Sequence, residues 1–193
     1  MGAGLLPTTI YNNRIYFLFG KENKYESSAP GFSDFGGGTD NKESFFETAV
    51  REAGEELTGF LGNDEDVKKL LTKYGTYNID YNQNNGYSKY RMHIFPMNYE
   101  PMLPFYYNNN QKFLQKRLDQ DIIKNSKIFE KEEIKWICID DIIKLRNTFR
   151  SYFQNIIDII YDEKDEITKF ITKKLKNTKN TKNTKNKTKK KKI

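Results

Sequence analysis

GGTDNKESFFETAVREAGEELTG, residues 37–59, is the stretch that decides how this chain is read. Within it Phe46, Ala49, Val50, Ala53 and Leu57 recur at spacings of three and four, which predicts an amphipathic helix from Glu43 to about Leu57. Gly36-Gly37-Gly38 supplies a glycine turn before it, and Gly59 and Gly62 mark its end. Glu52, Glu55 and Glu56 stand at i, i+3 and i+4, so they share one helical face. Like charges at that spacing repel unless a cation offsets them, and hard divalent cations such as magnesium or manganese take oxygen ligands of this kind. Charge alone leaves a solvated acidic face as the simpler reading.

The offsets of other residues change that balance. Arg51 adjoins Glu52, Glu43 lies eight residues before Arg51, and Gly37 lies six before Glu43. In this register the chain resembles the Nudix hydrolase family, whose signature is G-x5-E-x7-R-E-U-x-E-E-x-G-U with U a bulky aliphatic residue. Gly37, Glu43, Arg51, Glu52, Glu55 and Glu56 match it. Ala53 is smaller than the expected aliphatic residue, and Thr58 stands where the last glycine belongs, with Gly59 one residue later. A helix one residue longer before its glycine cap would accommodate this. Gly54 costs about 1 kcal/mol relative to alanine in mid-helix.

The resemblance implies hydrolysis within the pyrophosphate of a nucleoside diphosphate-linked substrate, with Mg2+ or Mn2+ as cofactor. It implies Glu52, Glu55 and Glu56 as metal ligands, with the Gly37 carbonyl as a further one. Arg51 would orient the carboxylates, and Glu43 would anchor the loop to Arg51 or the helix. The general base stays open between Glu52, Glu55 and a remote acid, for which Glu130, Glu132 and Glu133 are the candidates. Substrate classes range over nucleotides, capped mRNA and diphosphoinositol polyphosphates. A Nudix binding module without catalysis is the alternative from another class, and the intact glutamates speak against it.

Around the helix, Leu5–Tyr11 and Arg14–Gly20 flank Asn12-Asn13 and predict a β-hairpin. Residues 21–38 read as loop. Lys73–Asn82 and Tyr87–Tyr99 read as strands joined through Gln83-Asn84-Asn85-Gly86, a strong hairpin signal. Gln111–Lys124 reads as helical, and segment 105–129 as either a lid or a surface insertion. Glu133–Ile139 is a predicted strand, with Asp140 or Asp141 capping a short helix Ile142–Arg146. Phe149, Phe153, Ile156, Ile157 and Ile160 form one apolar helical face. The mixture predicts an α+β chain, a Nudix-type α/β/α sandwich with a mixed central sheet. Tyr87, Tyr90, Phe105, Tyr106 and Tyr107 are candidates for stacking a base.

The 193 residues suit one domain. Net charge is +7, but residues 173–193 hold eleven lysines and no acid, which leaves −4 on residues 1–172. The expected division is a hydrolase domain over 1–172 and a disordered basic tail over 173–193, with Lys-Asn-Thr repeated from Lys176 to Thr184. The tail reads as an RNA-contacting arm, as a nuclear-import signal, or as low-complexity drift in an AT-rich genome. A single cysteine, Cys138, and a single histidine, His93, argue against a disulfide, a Ser-His-Asp site and a His/Cys zinc site. No run of 18 apolar residues and no signal-peptide pattern is present, so no membrane partner is expected. The expected location is cytoplasmic, or nuclear through the tail.

Overall fold

The computed structural model describes residues 1–25, 30–40, 42–83, 88–126 and 130–189. Among them seven strands form one mixed sheet: β1 (Gly2–Tyr11), β2 (Arg14–Glu22), β3 (Phe32–Ser33), β4 (Phe35–Gly38), β5 (Tyr77–Gln83), β6 (Ser88–Pro96) and β7 (Lys131–Cys138). The main path runs β3-β2-β1-β6-β5, with β4 added to β1 and β7 added to β2. β1 pairs parallel with β6, while one edge is split between β4 (Leu5 opposite Phe35) and β2 (Thr8 opposite Phe17). Asn12 and Asn13 take positive φ of 47° and 61°, the conformation that a tight two-residue hairpin demands and asparagine tolerates.

Two apolar layers enclose the sheet because side chains alternate along each strand. On one face Ala3, Leu5, Leu18, Phe95 and Ile134 meet α1 (Phe45–Glu56), α2 (Asp64–Tyr74) and α3 (Leu103–Arg117). On the other, Leu6, Phe17, Phe19, Met92 and Ile94 meet α5 (Ile139–Ile142), α6 (Gln154–Asp162) and α7 (Lys164–Lys189). Ile156, Ile157 and Ile160 of α6 are almost wholly buried, each contributing roughly 1.5–3 kcal/mol. The short α4 (Gln120–Asn125) follows α3. The architecture is the expected α+β sandwich.

Several boundaries depart from the sequence reading. Part of 21–38 is strand, not loop: β4 exists because Gly36, Gly37 and Gly38 pair with Gly4, Ala3 and Gly2 of β1. Lys73 and Tyr74 belong to α2, a helix the apolar pattern concealed; Asn63 and Asp66 form its capping box, and Val67 and Leu71 are buried. The predicted helix Gln111–Lys124 is two helices, α3 and α4. Asp140 and Asp141 lie inside the first turn of α5 rather than capping a later helix. Gly86 and the rest of 84–87, the proposed β5–β6 turn, lie outside the described residues.

At its start β7 carries an irregularity. Lys21 faces Glu133 and Glu22 faces Lys131, so Glu132 is one residue too many for regular pairing. At the far end, Leu175 of α7 still packs on the core. The body therefore extends past residue 172, and α7 continues to Lys189 where composition predicts disorder from Lys173. Helical hydrogen bonds need no tertiary partner, although Asn and Thr are weak helix formers. No helix among the described residues is long and apolar enough to cross a membrane.

Candidate active site

α1 begins where its sequence dictates. Ser44 accepts from the Glu47 backbone N–H at 3.3 Å, and the Glu47 carboxylate accepts from the Ser44 N–H at 2.9 Å, a reciprocal capping box. Glu43 stays outside the helix. The helix ends at Glu56, with Leu57 as C-cap; it does not run one residue longer. Thr58 itself enters the left-handed region at φ 50°, and Gly59 follows at 78°. Gly54 has a local reason: a Cβ there would meet the Asp64 carboxylate of α2 at 2.9 Å.

The acidic face of α1 is not a solvated one. Glu52 and Glu56 are buried at 7% and 3% exposure, turned toward β4 and the start of β7. Gly37 makes room for the first: an added Cβ would stand 2.6 Å from Glu52 Oε1. A Cβ on Gly2 would in turn stand 2.7 Å from the Gly37 carbonyl oxygen.

Arg51 ties the motif together. Its Nε donates to Glu43 Oε1 at 3.0 Å, Nη1 to Glu52 Oε1 at 2.7 Å, and Nη2 to the Gly38 carbonyl at 2.9 Å. Glu55 Oε2 lies 3.5 Å from the same Nη1. Glu43 also accepts from Thr48 Oγ1 at 3.0 Å and from the Asp40 N–H at 3.2 Å. The Arg51 guanidinium holds the Glu43 carboxyl down to about 2.

Behind the glutamates lies a buried ionic cluster that the sequence did not announce. Lys131 is fully buried and donates toward Glu22 Oε1, Ser33 Oγ (3.0 Å) and Glu56 Oε1 (3.1 Å), three acceptors for three protons. Arg150 Nη1 donates to the same oxygen of Glu22. Desolvation works against the Lys131 cation, but Glu56 and Glu22 overcome it and raise its pKa. Burial raises the Glu56 carboxyl well above its ordinary value against the pull of Lys131. Nearby, burial lifts Asp34 to about 7 although Tyr90 donates its hydroxyl at 2.8 Å.

Glu52, Glu56 and Glu130 each place one carboxylate oxygen within 4.8 Å of the others. Glu55 is outside this group. Among the three remote acids, Glu132 pairs with Lys21 at 2.8 Å and Glu133 faces Lys21 across the strands, so Glu130 alone joins the α1 glutamates. Segment 105–129 is no lid in its described part. Tyr107 is buried and donates to the Glu56 carbonyl at 2.7 Å, and Asn108 exchanges hydrogen bonds with the Ile134 backbone. Phe105 and Tyr106 point outward, Tyr90 is buried against Asp34, and Tyr87 lies outside the described residues. Cys138 is buried and free.

No protein-family model and no curated protein matches this sequence. Solved structures do align with it. A Nudix hydrolase from M. smegmatis, RenU, is 14% identical over 86% of this chain and 87% of that one, with a TM-score of 0.49. An Ap4A hydrolase from C. elegans is 17% identical over 91% and 97%, with a TM-score of 0.42. A bifunctional NMN adenylyltransferase/ADP ribose pyrophosphatase from Francisella tularensis, complexed with AMP and a manganese ion, is 17% identical over 83% and 41%, with a TM-score of 0.47.

Proposed function

We propose that the chain is a magnesium- or manganese-dependent Nudix hydrolase that cleaves a pyrophosphate linkage in a nucleoside diphosphate-linked substrate. The convergence of Glu52, Glu56 and Glu130 oxygens within 4.8 Å, in register with Gly37, Glu43 and Arg51, carries this reading. The donor set suits a hard cation: all three are carboxylates, and Glu56 Oε2 is buried with no hydrogen-bond partner among the described residues. A bound cation would neutralise phosphate charge and acidify water at the site.

The chain's own residues supply the rest. Arg51 fixes Glu52 and Glu55 relative to each other, and Glu43 fixes Arg51. Lys131 holds one oxygen of Glu56 from behind and leaves the other turned away from it. The general base belongs to the pair bridged by Arg51. Glu55, with 25% of its side chain exposed against 9% for Glu52, is the one that solvent water reaches.

Manganese binding followed by electron paramagnetic resonance, together with turnover, tests the assignment. Glu52→Gln, Glu56→Gln and Glu130→Gln are expected to weaken metal binding. Glu55→Gln is expected to keep the metal and lose turnover. The substrate panel is nucleoside triphosphates, dinucleoside polyphosphates, ADP-ribose, capped RNA and diphosphoinositol polyphosphates, whose arms separate nucleotide cleavage, decapping and inositol chemistry. No metal binding together with no turnover of any of them would sink the hydrolase reading.

A further inference from the structure

Lys131 brings to the candidate site a cation that does not come from solution. Its stem runs over Gly20 of β2, where an added Cβ would stand 2.9 Å from Lys131 Cδ and 2.9 Å from the Phe35 ring. The ammonium ends among oxygens from three elements: Glu22 at the end of β2, Ser33 of β3 and Glu56 at the end of α1. Ser33 Oγ gives its own proton to the Asp34 carbonyl at 3.1 Å, so it turns a lone pair toward Lys131. Lys131, Glu22, Ser33 and Glu56 are all buried.

Two carboxylates and a hydroxyl around one buried charge are the donor set of a hard metal ion. Here they surround an ammonium instead, whose three protons meet the three acceptors. Glu56 is thereby divided. Its Oε1 serves the lysine at 3.1 Å, and its Oε2 is buried with no hydrogen-bond partner among the described residues. Without Lys131, the buried acids Glu22, Glu52 and Glu56 would be left with Arg150 as their buried base. Uncompensated buried charge is strongly disfavoured, so the emptied place would draw a cation from solution.

We propose that Lys131 is a tethered cation, which fills an oxygen cage of its own between Glu22, Ser33 and Glu56 and so keeps a divalent ion out of it. A lysine ammonium is a compact point charge with three donors, and it suits a cage built for an ion better than a flat guanidinium would. The cage is charged whether or not metal is present, and Glu56 meets an ion from solution with one oxygen only. In so far as Glu56 is also a metal ligand, this role rests on the hydrolase reading. It extends that reading to the number of ions the site accepts.

The test counts manganese ions bound per chain, from the paramagnetic resonance signal of the free ion, with the full chain and no substrate. Lys131→Ala and Lys131→Met both lose the charge, but only alanine vacates the cage, since methionine has nearly the length of lysine. Expected is one more ion per chain in Lys131→Ala than in wild type, and none more in Lys131→Met. Manganese should also raise the urea midpoint of Lys131→Ala further than that of wild type, as an ion bound only by the folded state does. Adding Glu22→Gln to Lys131→Ala should remove the extra ion. Equal counts in Lys131→Ala and wild type, or an extra ion in Lys131→Met as well, would overturn the proposal. Should alanine prevent folding, Glu22→Gln alone decides: the lysine stays, and the wild-type count is expected, whereas loss of an ion would make Glu22 a metal ligand and overturn the cage. The two readings fail separately. A wild type that binds no manganese sinks the hydrolase reading, and one ion gained by Lys131→Ala over that zero still upholds the cage.

Discussion

Lys131 Nζ lies 3.1 Å from Glu56 Oε1, with the lysine fully buried and the glutamate nearly so. The pair is adjacent to the carboxylate group through both partners: Glu56 belongs to it, and Glu130 precedes Lys131 in the chain. A buried ion pair and the proposed metal ligands thus share one point of the fold.

Removing the cation leaves Glu22 and Glu56 without their shared partner. Lys131→Met is expected to cost about 3–5 kcal/mol, the range for breaking a buried pair by one member, read as a lower urea midpoint. Adding Glu22→Gln and Glu56→Gln to that variant should recover part of the loss. An unchanged midpoint in Lys131→Met would contradict the ionic account.

Gly37→Ala pushes a methyl group into the Glu52 carboxylate, which lies 2.6 Å from where that Cβ would be. Manganese affinity is expected to fall about 10–100-fold, as when a ligand loses its orientation. Serine at the same position should be no better, since it carries the same Cβ.

His93 makes stability depend on pH. Burial and then Arg91 lower its pKa to about 4, with Asp80 opposing. Between about 4 and the ordinary value near 6.5 the unfolded chain holds a proton that the folded chain does not, so the His93 contribution to stability falls as pH falls through that window, while Asp34, raised to about 7, contributes in the opposite sense. The loss approaches roughly 3 kcal/mol and levels off below pH 4. His93→Gln should remove this contribution, read as the difference between wild type and variant in denaturant titrations at pH 7 and pH 4.5.

Among the described residues Leu175 is the last that packs on the core, so truncation after Lys176 is expected to leave the melting temperature within about 2 °C of the full chain. Leu175→Ala, by contrast, should lower stability by about 1 kcal/mol, below the range for a fully buried leucine because this one is only partly covered. Differential scanning calorimetry separates the two.

Much of this was legible in the sequence, for identifiable reasons. The β1–β2 hairpin, α1 and most of α6 were readable because their signals are local, an Asn-Asn turn and an apolar stripe, although Phe149 and Phe153 of the predicted helical face precede α6, which begins at Gln154. Gly37, Glu43 and Arg51 could be placed because their offsets are fixed along one segment. Lys131, Glu22 and Arg150 could not, since nothing near them in sequence distinguishes a buried lysine in Glu130-Lys131-Glu132-Glu133 from a solvated one. Glu130, Glu132 and Glu133 looked equivalent, and only pairing with a strand more than one hundred residues earlier separates them. β4 was missed because its partner, β1, lies across the loop and its glycines resemble a turn. The burial of Glu52 and Glu56 had the same origin: helical spacing shows which residues share a face, and says nothing about what covers it.

The extra residue at Glu132 has a consequence for how this strand can change. In a regular ladder each inserted or deleted residue exchanges inside for outside, so the identity of the inward lysine is a matter of parity. Deleting Glu132 would leave Lys131 opposite Glu22 and Glu133 opposite Lys21 in an unbroken ladder, whereas deleting one residue from the regular stretch beyond it would turn Lys131 to the wrong face. A one-residue loss is therefore tolerated at the irregularity and not in the regular ladder beyond it, a distinction that residue chemistry at the site would not suggest.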